Sequence, residues 1–264
     1  MDTALTIAGV DEDFVELVVR GLVTSEPDAL ALLVTGSYAK GTATVESDLD
    51  LVLLTTTQPT VGCRTSFLDR RGLPPLHVSA GAKGLGAWLE RGLQPEPWAL
   101  GFPARFDARY LWSTPDARDR LGDDPSQADH PPAPPELEDL VEALQKMRRA
   151  GRAGDALGAR WHARDAADLM PRLLVPLNRQ RWVCDRRDAL QAALDLTVAP
   201  DGWREHFPTA LGLTDAADAT VVGATLGLGL RLLAFLREHA PDTDPQPGIR
   251  AALADGTLER LLAG

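Results

Sequence analysis

Residues 30–54 read LALLVTGSYAKGTATVESDLDLVLL, and the fold is decided here. Leu30 to Val34 is an unbroken apolar run, the pattern of a strand covered on both faces. Thr35-Gly36-Ser37 breaks it. A second strand, Leu49 to Leu54, is led by two acids, Asp48 and Asp50. Side chains two apart on a strand share a face, so Asp48 and Asp50 project together while Leu49 and Leu51 pack on the opposite side. Adjacent like charges at a strand start cost stability unless a cation neutralises them. Hard divalent ions that also carry a nucleoside triphosphate suit such a pair. Two of them, roughly 3.5–4 Å apart, would activate an attacking oxygen and stabilise a pyrophosphate leaving group in line with it. Gly36 and Gly41 bracket the turn between the strands, where glycine accepts positive φ and lets backbone N–H groups surround a phosphate. Ser37 can add a hydroxyl donor and Lys40 a positive charge. A Gly/Ser turn alone is common on protein surfaces; the acid pair that follows gives this one its meaning.

Working outward, Val15, Val18, Val19, Leu22 and Val23 fall at helical spacing within Glu12–Val23, and Glu26-Pro27-Asp28 stops the helix. Downstream, Thr65–Leu68 and Leu76–Val78 around Arg71-Gly72 predict a hairpin, Gly84–Leu93 a short helix and Ala108–Trp112 a further strand. From Asp123 to Pro135 the composition shifts, and Pro131, Pro132, Pro134 and Pro135 deny the backbone both helix continuation and ladder donors. This stretch reads as a linker. Beyond it Leu137, Leu140, Val141, Leu144 and Met147 mark one apolar helix face. Trp161–Trp182 looks helical but contains Pro171 and Pro176, so it is kinked or split. Asp188–Leu196, Ala216–His239 and Ile249–Leu262 complete an expected bundle of about five helices. The expected organisation is α+β: an N-terminal domain over 1–122, a proline-rich linker over 123–135 and a helical domain over 136–264.

The 264 residues suffice for a core in each part. With 44% hydrophobic and 25% charged residues, disorder and collagen-like repeats are excluded. Cys63 and Cys184 stand far apart with no metal-ligand spacing, which suits a reducing cytoplasm. The 38 acids against 27 basic residues give a net charge of −11 with no Lys/Arg block, so a long polyanion is disfavoured and nucleic acid is not an expected partner. The first six residues lack the charged and apolar regions of a signal peptide. Val221–Leu236 reads as too short for a span of about 20 residues. The chain is expected to be cytoplasmic and unanchored, its oligomeric state open.

The stretch Gly36-Ser37, Gly41, then Ser47-Asp48-Leu49-Asp50-Leu51 resembles the signature of the polymerase-β-like nucleotidyltransferase superfamily, each element at its spacing. The two-part plan is similar to small bacterial members, the aminoglycoside adenylyltransferases of the streptomycin/spectinomycin and kanamycin types. The resemblance implies a mixed sheet flanked by helices followed by a helical bundle. It also implies transfer of a nucleoside monophosphate, AMP from ATP, to a hydroxyl of a small, aminoglycoside-like acceptor with release of pyrophosphate. Gly36, Ser37, Lys40, Gly41 and Ser47 would bind the nucleotide, and Asp48 and Asp50 would hold two Mg²⁺ ions. Antibiotic resistance is the associated biological role. A macromolecular acceptor, a protein hydroxyl or a tRNA end as in toxin–antitoxin relatives, is the alternative.

One position departs from that pattern. Active relatives carry a third carboxylate on the next core strand, where Pro75-Leu76-His77-Val78-Ser79 offers His77. Three readings stand. His77 is the general base, its imidazole having an unperturbed pKa of about 6.5; or Asp69, or an acid of the helical domain, supplies the missing charge; or the site binds nucleotide without turnover. Other polar groupings read as surface. His162, Asp165 and Asp168 have metal-like spacing but sit beside Arg160 and Arg164, as a solvated charged face would. Glu138 and Glu142 read the same way. Asn178 to Trp182 reads as a helix C-terminal cap. Most of the six tryptophans should be core or domain-interface residues.

Overall fold

A computed structural model of the chain describes residues 6–8, 10, 12–60, 62–127 and 129–263. Residues 1–5, read above as lacking a leader, and Ala128 of the proline-rich stretch lie outside the described residues. The chain forms two compact units, one of residues 1–94 with 105–130 and the other of residues 95–104 with 131–264. Its class is α+β.

The first unit is built on β1 (Ala29–Thr35), β2 (Leu49–Thr55), β3 (Arg64–Arg70), β4 (Leu73–Gly84) and β5 (Ala108–Ser113). Among the described residues these form one sheet in the order β3-β4-β2-β1-β5. β2 and β4 run parallel and the other neighbours antiparallel, so the sheet is mixed. The apolar run of β1 explains its central place: Leu32 and Val34 face a core with Val19, Leu51, Leu53, Val78 and Leu111, while Ala31 and Leu33 face one with Leu54, Leu85, Trp88 and Tyr110. Helix α1 (Glu12–Thr24) supplies Val19 to the first face, and α3 (Leu85–Arg91) and α4 (Pro115–Leu121) cover the second. A short helix, α2 (Gly36–Lys40), starts where β1 ends. The hairpin, the helix after Gly84 and the strand from Ala108 stand where the sequence places them. Helix α4 was not anticipated; Thr114 caps it by accepting from the Ala117 N–H, with Pro115 at its first position.

The second unit contains, among the described residues, α5 (Leu137–Arg152), α6 (Ala156–Leu174), α7 (Arg186–Leu194), α8 (Trp203–Ala210), α9 (Asp218–His239), α10 (Pro247–Ala254) and α11 (Thr257–Ala263). That exceeds the five expected. Asp255-Gly256 splits the last expected helix in two, with Gly256 at φ 73°. Helix α8 went unread because Pro208 interrupts its pattern, yet Trp203 and Phe207 stack at 4.4 Å in the core. Helix α6 passes through Pro171 and ends at Leu174 in a tight turn, earlier than the sequence suggested. Asn178, just beyond, caps it by donating to the Leu174 carbonyl, as the sequence reading favoured.

Val221–Leu236 is part of the 22-residue α9, which by length and composition is long enough to cross a membrane; the shorter sequence estimate is corrected. Val221, Leu228, Leu232, Leu233 and Leu236 of this helix are buried in the helical core. Residues 95–104 join the same core through Ala99, Leu100, Phe102 and Ala104. Gly101 makes this possible: at φ 93° it lies so close to α6 that a Cβ would fall 2.6 Å from the Arg172 Cα.

Asp244, 2% exposed, fastens the start of α5 by accepting from the backbone N–H groups of Leu137 and Gln246. Asp244→Ala leaves both donors without this acceptor and is expected to cost about 1–3 kcal/mol in urea unfolding. Asp244→Asn, which keeps one acceptor oxygen, should cost less.

Candidate active site

The acid pair, the glycine turn and His77 are brought together by strand register. Thr35 of β1 lies opposite Asp50 of β2, and Asp50 lies opposite Ser79 of β4. In-register residues share a sheet face, so Asp48, Asp50, His77 and Ser79 project together, as do Thr65 and Phe67 of β3 through their pairing with Ser79 and His77. Leu49, Leu51, Leu76 and Val78 fill the core behind them. The site therefore stands at the end of the sheet where β1 hands the chain to α2 and β2 begins.

Gly36 has φ 66° and Gly41 φ 72°, both in the left-handed region. A Cβ at Gly36 would lie 3.2 Å from Asp50 Oδ2, so glycine here satisfies both the backbone angle and the close approach of the carboxylate. Gly41 ends α2 by donating to the carbonyls of Ser37 and Tyr38. Helix α2 is held from β5, where Arg109 donates to the Tyr38 carbonyl at 2.6 Å. The Lys40 ammonium lies 3.7 Å from the Asp107 carboxylate. The Ser47 hydroxyl accepts from the Thr44 N–H at 2.9 Å, closing the turn that delivers Asp48. Ser37 is half-buried at the start of α2.

Electrostatics sharpen the picture. Burial pushes the Asp50 carboxyl above the ordinary aspartate value, the Asp48 charge pushes it further, and His77 opposes both. His77 Nδ1 lies 3.9 Å from Asp48 Oδ2, and its ring leans on Phe67 with centroids 5.2 Å apart. Asp48 and His77 both remain open to solvent. Asp69 lies past a register shift between Leu68 and Arg70, toward the hairpin turn, and makes no ion pair among the described residues. No cluster of three metal-ligating side chains occurs among the described residues.

Sequence reasoning missed Arg70. It is 6% exposed and donates from Nε to the Pro74 carbonyl at 2.6 Å and from Nη2 to the Val45 carbonyl at 2.7 Å, bolting the turn before Asp48 to the hairpin. An arginine beside Arg71-Gly72 looks like any hairpin-tip cation, so the sequence carried no signal of its burial. Other groupings read as surface are charge pairs. His162 faces Asp165 at 3.4 Å, and Asp168 accepts from Arg186 at 3.1 Å. Trp88 and Trp203 are buried, whereas Trp161 and Trp182 are exposed.

The raised Asp50 pKa fixes a sign. In the unfolded chain Asp50 ionises at its ordinary value and in the folded chain above it. Folding stability therefore falls as pH rises through that interval and stays lowered at neutral pH. Asp50→Asn is expected to melt higher than the wild-type chain at pH 7 without divalent ions. The difference should vanish as pH drops below the ordinary aspartate value, which a pH series of thermal melts will show.

One family model falls on each of the two units. The family model described as nucleotidyltransferase domain matches residues 18–64, and that described as nucleotidyltransferase, substrate binding domain matches residues 136–237. No curated protein matches the chain. Among solved structures it is similar to the nucleotidyltransferase-like protein from Exiguobacterium sibiricum 255-15, at 15% identity over 92% of this chain and 89% of that one, with a TM-score of 0.42. The nucleotidyltransferase model falls on the glycine turn and both aspartates, and the substrate-binding model on the helical unit; the two matches support a transferase of the nucleotidyltransferase type.

Proposed function

We propose that the protein transfers a nucleoside monophosphate, AMP from ATP, to a hydroxyl group of a small acceptor. The observation that carries this reading is the crowding of Asp50: a half-buried carboxylate against Gly36, beside a second aspartate and with an imidazole opposing them. That surplus of negative charge fits divalent cations. Asp48 and Asp50 would hold them, magnesium being suited to carboxylate oxygens. Such ions, when bound, offset the charge of the triphosphate and of the leaving pyrophosphate.

The chain's own groups have separate tasks. The backbone of Gly36 to Gly41 and the Ser37 hydroxyl bind the phosphates, with Lys40 and Ser47 shaping the turn on either side. His77 accepts the acceptor's proton. Its Nδ1 faces Asp48, which leaves Nε2 as the atom able to take that proton, and Asp48 stabilises the imidazolium formed. The acceptor oxygen bonds to the α-phosphorus, the bond from that phosphorus to the bridging oxygen breaks, and pyrophosphate departs. In this reading the unit of residues 1–94 and 105–130 serves the nucleotide and that of residues 95–104 and 131–264 the acceptor. An amino-sugar acceptor, and with it a role in antibiotic resistance, is favoured by the net charge of −11, which attracts polycations. A cytoplasmic setting accords with two free cysteines, Cys63 and Cys184.

A second reading, nucleotide binding without turnover, is favoured by one observation: His77 occupies the place of a third acid, and no triad of metal-ligating groups forms among the described residues. Pyrophosphate release from ATP across a panel of hydroxyl acceptors separates the two. Release with at least one acceptor supports transfer; tight ATP binding without release for any acceptor overturns it.

Within the transferase reading, Asp48→Ala and Asp50→Ala should each lower pyrophosphate release more than a hundredfold while leaving the circular dichroism spectrum intact. His77→Ala should lower kcat by roughly 10²–10⁴ with little change in KM. An unchanged rate in that variant would move the proton-accepting role to another group.

A further inference from the structure

Away from the aspartate site, positive charge gathers on the helical unit of this acidic chain. Lys146, Arg148, Arg149 and Arg152 line a groove of about 540 Å³ along the last turns of α5, with Leu261 of α11 on the opposite wall. Glu142 is the one acid in the lining, and it already pairs with Lys146 at 2.9 Å. Arg148 is anchored through Nη1 to the Leu261 carbonyl at 3.2 Å, which ties the two walls together. Arg149 has no ion-pair partner among the described residues.

Cations often collect at helix C-termini, where they offset the dipole and meet the last carbonyls. At this helix end the carbonyls are already served by backbone. Ala153 donates to those of Arg149 and Ala150, Gly154 to that of Gly151 and Asp155 again to that of Ala150. The Arg149 guanidinium is therefore not needed as a cap, and like charges three and four apart repel one another along the helix. Guanidinium forks match phosphate oxygens in pairs. A groove of this volume suits a small molecule, and a net charge of −11 disfavours a long polyanion over a compact one.

We propose that the groove between α5 and α11 is a binding site for a compact ligand carrying two or more linked phosphate groups, separate from the Asp48/Asp50 site. A bare phosphate chain and a nucleotide share this chemistry.

Isothermal titration of the full chain in EDTA tests it, because without divalent ions the glycine turn faces two uncompensated aspartates, which disfavour a polyphosphate there. The ligands are inorganic pyrophosphate and ATP, each at low and high salt. The expected result is binding that weakens with salt and at least tenfold in the double variant R149Q/R152Q. Both side chains are exposed, so that variant should keep its thermal midpoint. The variant D48N/D50N should bind as the wild-type chain does. Equal affinities would identify a phosphate chain as the ligand, and tighter ATP a nucleotide. Absence of binding, binding unchanged in R149Q/R152Q, or binding lost in D48N/D50N would overturn the proposal.

Discussion

The pairing of Thr35 with Asp50 is the constraint on which the rest depends. β1 is apolar on both faces and can only lie inside the sheet, so its end is fixed in space before any functional residue is placed. The register then sets the Asp50 carboxylate close to the α-carbon of Gly36, where a side chain would crowd it. A slip of one residue would turn both aspartates into the core and Leu49 and Leu51 out of it, at a cost of several buried apolar groups. Hydrophobic burial on one face thereby enforces an electrostatically unfavourable arrangement on the other.

That arrangement is not relieved by the protein itself. His77 opposes the charge of Asp50 without removing it, and Arg70 spends two of its donors on backbone carbonyls. The polypeptide holds its acids in place from behind, through the turn closed by Ser47 and the bolt formed by Arg70, and leaves Asp48 open to solvent. Such rigid presentation of unneutralised charge suits a site whose partners are cations and phosphates.

Much of this was legible in the residue order. Alternation between apolar and polar positions gave β2 and the hairpin, the continuous run gave β1, and the glycine and aspartate spacing gave the site. Those signals are local, set by which face of a strand or helix is covered. What escaped was non-local. Nothing in residues 95–104 reveals that Leu100 and Phe102 pack among helices that follow much later. Helix α8 is stabilised by its packing in spite of Pro208, so its own sequence argued against it. The direction of Lys40 toward Asp107 and the burial of Arg70 depend on segments distant in sequence, and neither changes the local pattern.

Because residues 95–104 belong to the helical core, the chain enters that unit twice. The gene therefore cannot be cut at one point into two self-sufficient halves. A fragment beginning at Glu136 would lack Ala99, Leu100, Phe102 and Ala104 and bare the apolar surface they cover, inviting aggregation. An isolated N-terminal piece would carry that greasy segment with nowhere to bury it. Any modular use of the acceptor domain, in a chimaera or by recombination, must carry this ten-residue excursion along or replace it.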